Sequence, residues 1–230
     1  MTQSSTTTPP ARFLLLGDSH SAVIGRAATA ADIPFHGGPL GAGREFTAAF
    51  FEPRVADVVF TEPEAQERYR RFLAELGVGS LSAISVPLVA TFGFSAHFVA
   101  TRENWLIHRR ADGSFPPGFL TGELFEAIVR AMVRDALAFY RHARDLGLRV
   151  LAVLPPQRVP GQSAPDVFLA AQECIARAVA AIGVEIVDLR PRLIDASGFQ
   201  RPEFCEADDE IHGNLASGRL VLRELLERGL

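Results

Sequence analysis

Arg12-Phe13-Leu14-Leu15-Leu16-Gly17-Asp18-Ser19-His20 carries a short apolar run into a glycine and then into small polar residues. Such a run halted by glycine reads as a buried strand entering a tight turn. Downstream, the alanine-rich stretch Ser21 to Ala31 reads as a helix, and Ile33 to Phe35 as a second short strand. A cluster of Gly37, Gly38, Gly41 and Gly43 follows, where the backbone takes unusual angles or approaches another group closely. Pro63 to Leu76 has a proline at its start and Gly77 past its end, the signature of a helix. Ile84 to Phe92, rich in β-branched and aromatic residues, reads as a core strand despite Pro87.

The second half repeats the alternation. Glu103 to Gly118 reads as a small hairpin or lid-like loop, and Thr121 to Asp145 as one long helix. Arg149 to Leu154 is a strand stopped by Pro155-Pro156, Ala164 to Ala181 a helix, and Val184 to Val187 a strand. An acid-rich loop then leads to a terminal helix starting near Asn214. Strands alternating with helices of ten or more residues require right-handed crossovers and a sheet covered on both faces. The expectation is one three-layer α/β/α domain over residues 11–230 with a mostly parallel central sheet. Residues 1–10 are polar and read as a disordered tail.

Composition narrows the function. The chain has 230 residues, is 48% hydrophobic and 22% charged, and carries a formal net charge of −4. Its 23 Lys and Arg residues are interspersed with acids rather than clustered, so a nucleic-acid partner is not expected. No apolar run approaches the ~18 residues that span a bilayer. The N-terminus has no basic-then-apolar leader, so a cytoplasmic protein without a membrane partner is expected. Cys174 and Cys205 form neither a disulfide framework nor a metal-ligand spacing, and the glycine cluster lacks a phosphate-loop lysine.

Ligands of open parallel sheets bind outside the carboxyl ends of the strands. Three stretches fall there: Gly17-Asp18-Ser19, Gly37 to Gly43, and Gly93-Phe94-Ser95. A fourth, Asp209-Glu210-Ile211-His212, precedes the last helix. A serine hydroxyl needs a base within hydrogen-bond reach to act as a nucleophile. Histidine serves as that base, and a carboxylate on its other ring nitrogen fixes the tautomer. Asp209 and His212 can supply both from one tight loop, and their spacing favours Asp209 over Asp208. Ser95, on a second strand–Gly–x–Ser turn, is the rival nucleophile. His36 and His97 are candidates to line a pocket, whereas His20 is expected to point away into the following helix. Arg158 reads as a surface residue.

Gly17-Asp18-Ser19 near one end and Asp209-x-x-His212 near the other resemble the blocks of the GDSL/SGNH hydrolase family, in the same chain order. The resemblance spans the chain from about Arg12 onward. It implies a flavodoxin-like α/β/α fold, with Ser19 as nucleophile, His212 as base and Asp209 as its orienting acid. It implies no metal or organic cofactor. It also implies an oxyanion hole built from the N–H groups of Ser19 and of a second-block glycine, best matched by Gly41, with Gly43 the fallback. The third block departs from the family: Gly93-Phe94-Ser95-Ala96-His97 has no asparagine, leaving Ser95 or His97 as the side-chain donor. The expected activity is hydrolysis of a carboxylic ester of a small molecule or carbohydrate through an acyl-enzyme. The alternatives are acyl transfer by the same triad, or a non-hydrolytic binding protein that keeps the fold.

Overall fold

A computed structural model describes residues 10–230; apart from Pro10, the polar tail expected over residues 1–10 lies outside the described residues. The three leucines of the opening stretch form strand β1 (Leu14–Gly17), which leads through α1 (Ser21–Ala30) to β2 (His36–Pro39). A hairpin of β3 (Phe51–Arg54) and β4 (Asp57–Phe60) precedes α2 (Pro63–Glu75) and β5 (Leu88–Ala90). The short α3 (Ala96–Val99) is followed by α4 (Glu123–Met132) and α5 (Arg134–Asp145). Then come β6 (Val150–Val153), α6 (Pro165–Ala180), β7 (Glu185–Val187), the single-turn α7 (Arg190–Leu193) and α8 (Leu215–Glu227).

Five strands form one sheet in the order β2-β1-β5-β6-β7, with every neighbouring pair parallel. Counted in chain order within that sheet, this is 2-1-3-4-5, the flavodoxin-like winding whose direction reverses between β1 and its inner neighbour. Side chains alternate across a strand, so Leu14 and Leu16 enter one core and Leu15 the other. The Leu15 face is covered by α1 and α8, through Val23, Ile24, Ala27, Val221 and Leu225. The Leu14 face is covered by α2, α4, α5 and α6. The expected three layers are present. Among the described residues, no helix is long and apolar enough to cross a membrane.

Four local expectations change. The second strand is His36–Pro39 rather than Ile33 to Phe35, because the glycine pair itself lies against β1, with Leu15 opposite Gly37. The antiparallel hairpin β3–β4 was not anticipated; Pro53 and a length of 4 residues per strand hide its pattern. The long helix breaks at Val133 (φ −111°, ψ 17°) into α4 and α5 without a glycine or proline. Residues 103–118 hold no hairpin: Arg102–His108 is a 3₁₀ helix that buries Trp105, whose indole N–H donates to the Val99 carbonyl at 2.7 Å.

Candidate active site

Asp18, fully buried at the end of β1, ties the β1 turn to the segment after β5. Its Oδ1 accepts from the Thr91 hydroxyl at 2.9 Å and from the His20 N–H at 3.0 Å. Its Oδ2 accepts from the Ser95 hydroxyl at 2.7 Å. A buried carboxylate is stable only when so satisfied, and three donors converge on this one. The network lies at the winding reversal between β1 and β5, where open sheets place their ligands.

Ser19, half-buried, comes next in the chain and projects from that fixed turn. Its Oγ lies 2.8 Å from Nε2 of His212, and Nδ1 of His212 lies 2.7 Å from Oδ2 of Asp209. The carboxylate selects the Nδ1–H tautomer, which leaves Nε2 free to accept from the Ser19 hydroxyl. Oδ1 of Asp209 accepts from the Ile211 and His212 N–H groups, both at 2.6 Å. Burial alone pushes the Asp209 carboxyl up; the His212 ring and the two N–H donors outweigh it and bring it down to about 2. The loop thus holds a carboxylate, ionised at neutral pH, against the Nδ1 edge of the imidazole. Asn214 caps α8 by accepting from the Ala216 and Ser217 N–H groups, which fixes where that loop ends.

The remaining predicted residues divide. Gly41 shares with Ser19 a groove of about 700 Å³, whose walls include Leu40, Ala42, Glu45 and Arg68. Among the described residues, neither the Ser19 nor the Gly41 N–H donates to a protein acceptor. Ser95 does not serve as the expected donor: a hydroxyl has one proton, and that proton is spent on Asp18. His97 is buried, with its ring against Phe98 at a centroid distance of 4.0 Å. Burial first, then the nearby His20, lowers its pKa to about 4, so it is a neutral imidazole at pH 7 within electrostatic range of His212. His36 is remote from this cluster in its bonding, with Nδ1 at 3.2 Å from Glu75.

Two residues depart from their readings. His20 does not point away; its ring packs on that of His212 at a centroid distance of 4.9 Å, and burial lowers its pKa. Arg158 is not a surface residue either: its guanidinium reaches the loop that carries Asp209 and His212. No spacing in the sequence signals either contact, because both are made across the fold to groups more than a hundred residues away or to backbone carbonyls. Among the described residues, no group of three or more His, Cys, Asp or Glu side chains is arranged to hold a metal ion.

No family model matches the sequence, and no curated protein matches it. Solved structures do. A GDSL-like lipase from Bacteroides thetaiotaomicron superposes with a TM-score of 0.50 at 13% identity, covering 96% of this chain and 90% of the other. A candidate platelet activating factor from Streptococcus pneumonia superposes with a TM-score of 0.54 at 14% identity, covering 98% of this chain and 86% of the other. At this identity the likeness speaks for architecture, over nearly the whole length of both partners. The parallel five-stranded sheet, with its serine turn at the end of β1, has the fold of the GDSL-like, or SGNH, hydrolases.

Proposed function

We propose that the protein is a serine esterase that cleaves a carboxylic ester of a small molecule or carbohydrate through an acyl-enzyme. The observation that carries this reading is the unbroken hydrogen-bond chain from Ser19 Oγ through His212 to Asp209, at 2.8 and 2.7 Å. Ser19 Oγ attacks the carbonyl carbon as Nε2 of His212 takes its proton. The resulting oxyanion collapses, and the leaving alcohol takes the proton from Nε2. Water then repeats the sequence and releases the acid, restoring Ser19. Asp209 stays ionised throughout and stabilises the imidazolium.

The oxyanion is held by the N–H groups of Ser19 and Gly41, whose protons are not used elsewhere. His97 supplies the third donor in place of an asparagine amide. A neutral imidazole has one N–H to give, and the depression of the His97 pKa to about 4 supports that form at working pH. Each such donor is worth roughly 3 kcal/mol of transition-state stabilisation. The likeness in fold to a GDSL-like lipase supports the same class of reaction. Incubation with a fluorophosphonate probe tests the reading: the wild type is expected to label stoichiometrically at Ser19 and to hydrolyse p-nitrophenyl acetate. Ser19→Ala is expected to lose both. Undiminished hydrolysis in the alanine variant, or no labelling of the wild type, overturns the assignment.

A further inference from the structure

Arg158 follows Pro155-Pro156-Gln157 at the carboxyl end of β6, on the same edge of the sheet as Ser19. The segment leading to it is held in place, since the Leu154 N–H donates to the Val187 carbonyl at 3.1 Å and the Gln157 carbonyl accepts from the Gln200 N–H at 3.1 Å. From there its Nη1 donates to the carbonyl of His212 at 2.6 Å and to the carbonyl of Glu206 at 3.2 Å. The same nitrogen lies 4.0 Å from Oδ1 of Asp209. Residues 206–212 are therefore closed at their base, where the Glu206 N–H also donates to the His212 carbonyl at 3.1 Å. The guanidinium side chain is 17% exposed, so its charge acts in a partly desolvated setting where screening is weak.

We propose that Arg158 is a positioning residue for the proposed triad: it clamps the Asp209–His212 loop by its base and sets the charge balance of the Asp209–His212 pair. The inference rests on the reading of His212 as the base. Two consequences follow from one side chain. Mechanically, the backbone of His212 is held by its carbonyl to a guanidinium carried on the segment after β6, whose course is fixed by the Leu154 and Gln157 bonds. Electrostatically, a permanent cation beside the pair opposes a second positive charge on the imidazole. Arginine suits both tasks, because it never deprotonates and its planar head donates to two carbonyls from one nitrogen.

The charged and titratable groups facing His212 come from every neighbouring element. Asp209 and Glu206 lie on its own loop; Asp18 and His20 come from the turn between β1 and α1, Arg26 from the middle of α1, and His97 from α3. Arg26 is paired with Glu206 at 3.2 Å, so its charge is largely offset. Arg158 is the cation that bears on Asp209 itself. Removing it takes away a positive charge 4.0 Å from Oδ1 of Asp209, which favours the imidazolium, so a higher pH is expected to be needed to free the base.

The test compares Arg158→Met and Arg158→Lys with the wild type on p-nitrophenyl acetate, after circular dichroism and melting at pH 7 have established that each is folded. Displacement of a reacting group by about 1 Å costs on the order of 100-fold. Arg158→Met is therefore expected to lose about tenfold to a hundredfold, in kcat rather than KM. The acid limb of its kcat/KM profile should move to higher pH. Arg158→Lys keeps the charge and should return the limb to its wild-type position while recovering only part of kcat. Wild-type kcat with an unmoved limb in the methionine variant overturns the proposal. So does equal loss in both variants with neither limb displaced, which is the pattern of a merely structural arginine.

A second measurement separates this proposal from the esterase reading. The proton shared by His212 Nδ1 and Asp209 gives a low-field ¹H NMR signal that needs no substrate. It is expected in the wild type and in Arg158→Lys, and broadened by exchange in Arg158→Met. If no ester is turned over, the esterase reading fails while this signal still decides the clamp: an equally sharp resonance in the methionine variant overturns it.

Discussion

Asp209 does two jobs that a single carboxylate can combine only in a tight loop. One oxygen faces Nδ1 of His212 at 2.7 Å, while the other collects the N–H groups of the next two peptide units at 2.6 Å. The first bond selects the tautomer; the others hold the carboxylate ionised and still. Asp209→Asn keeps the size of the side chain but offers an amide that need not accept from Nδ1. If the amide N–H faces the ring, His212 adopts the Nε2–H tautomer and can no longer accept from Ser19. Comparable replacements in serine hydrolases cost about 10⁴-fold in kcat, and a loss of that order is expected here with KM little changed. Steady-state kinetics on p-nitrophenyl acetate checks it, and an asparagine variant within tenfold of wild type would place the orienting acid elsewhere. The residue pair was legible in the sequence because Asp-x-x-His packs both partners into one loop. That the Ser95 hydroxyl is taken up by Asp18 was not, because that bond joins residues 77 apart in the chain.

At the scale of elements, the sheet was legible where each strand buries both faces. Leu14, Leu15 and Leu16 form an unbroken apolar run for that reason, as do Val150 to Val153. The hairpin β3–β4 was not, since it buries mainly Val58 and Phe60 and leaves its first strand exposed apart from Phe51. The break at Val133 was silent as well: Val129, Val133 and Leu137 keep the four-residue spacing of one continuous apolar face across it, and neither glycine nor proline marks it. The second strand illustrates a further limit. Gly37 sits in β2 at φ +108°, a region closed to most side chains, directly opposite Leu15. A Cβ built at Gly37 would overlap the Leu15 backbone carbonyl. The glycine cluster therefore marks close approach between two strands, not a loop around a ligand, until the chain reaches Gly41. Gly37→Ala must either part β2 from β1 or strain the backbone, and a destabilisation on the order of 3 kcal/mol is expected. Urea denaturation measures it. A midpoint within experimental error of wild type would mean that β2 is not held against β1 as described.

For the whole molecule, the buried histidines around Asp18 couple folding to pH. His97 takes up its proton near pH 4 in the folded chain and near 6.5, its ordinary value, once unfolded. Between those values the unfolded chain binds a proton that the folded chain refuses. The contribution of a neutral, buried His97 is thus complete above pH 6.5 and is lost as the pH falls toward 4. The full shift is equivalent to about 3 kcal/mol, and partial access of solvent to the ring brings the expected loss to about 2 kcal/mol. His20 acts in the same direction, its pKa lowered by burial and by the neighbouring His212 charge. Asp209 responds to acid lower down: its depressed pKa stabilises the fold above pH 3.8, and that contribution is lost toward pH 2. The two windows do not overlap above pH 4, so the histidine effect can be read alone. His97→Phe substitutes an apolar ring of similar width beside Phe98 and removes one titrating group. Its urea midpoint should match or exceed the wild type at pH 5, and the difference between pH 7 and pH 5 should shrink relative to wild type. Parallel curves for the two proteins over that range would mean that His97 meets enough water to titrate normally. The neutral oxyanion donor proposed for the third block would then lose its support, because that support is a ring which burial keeps free of a second proton.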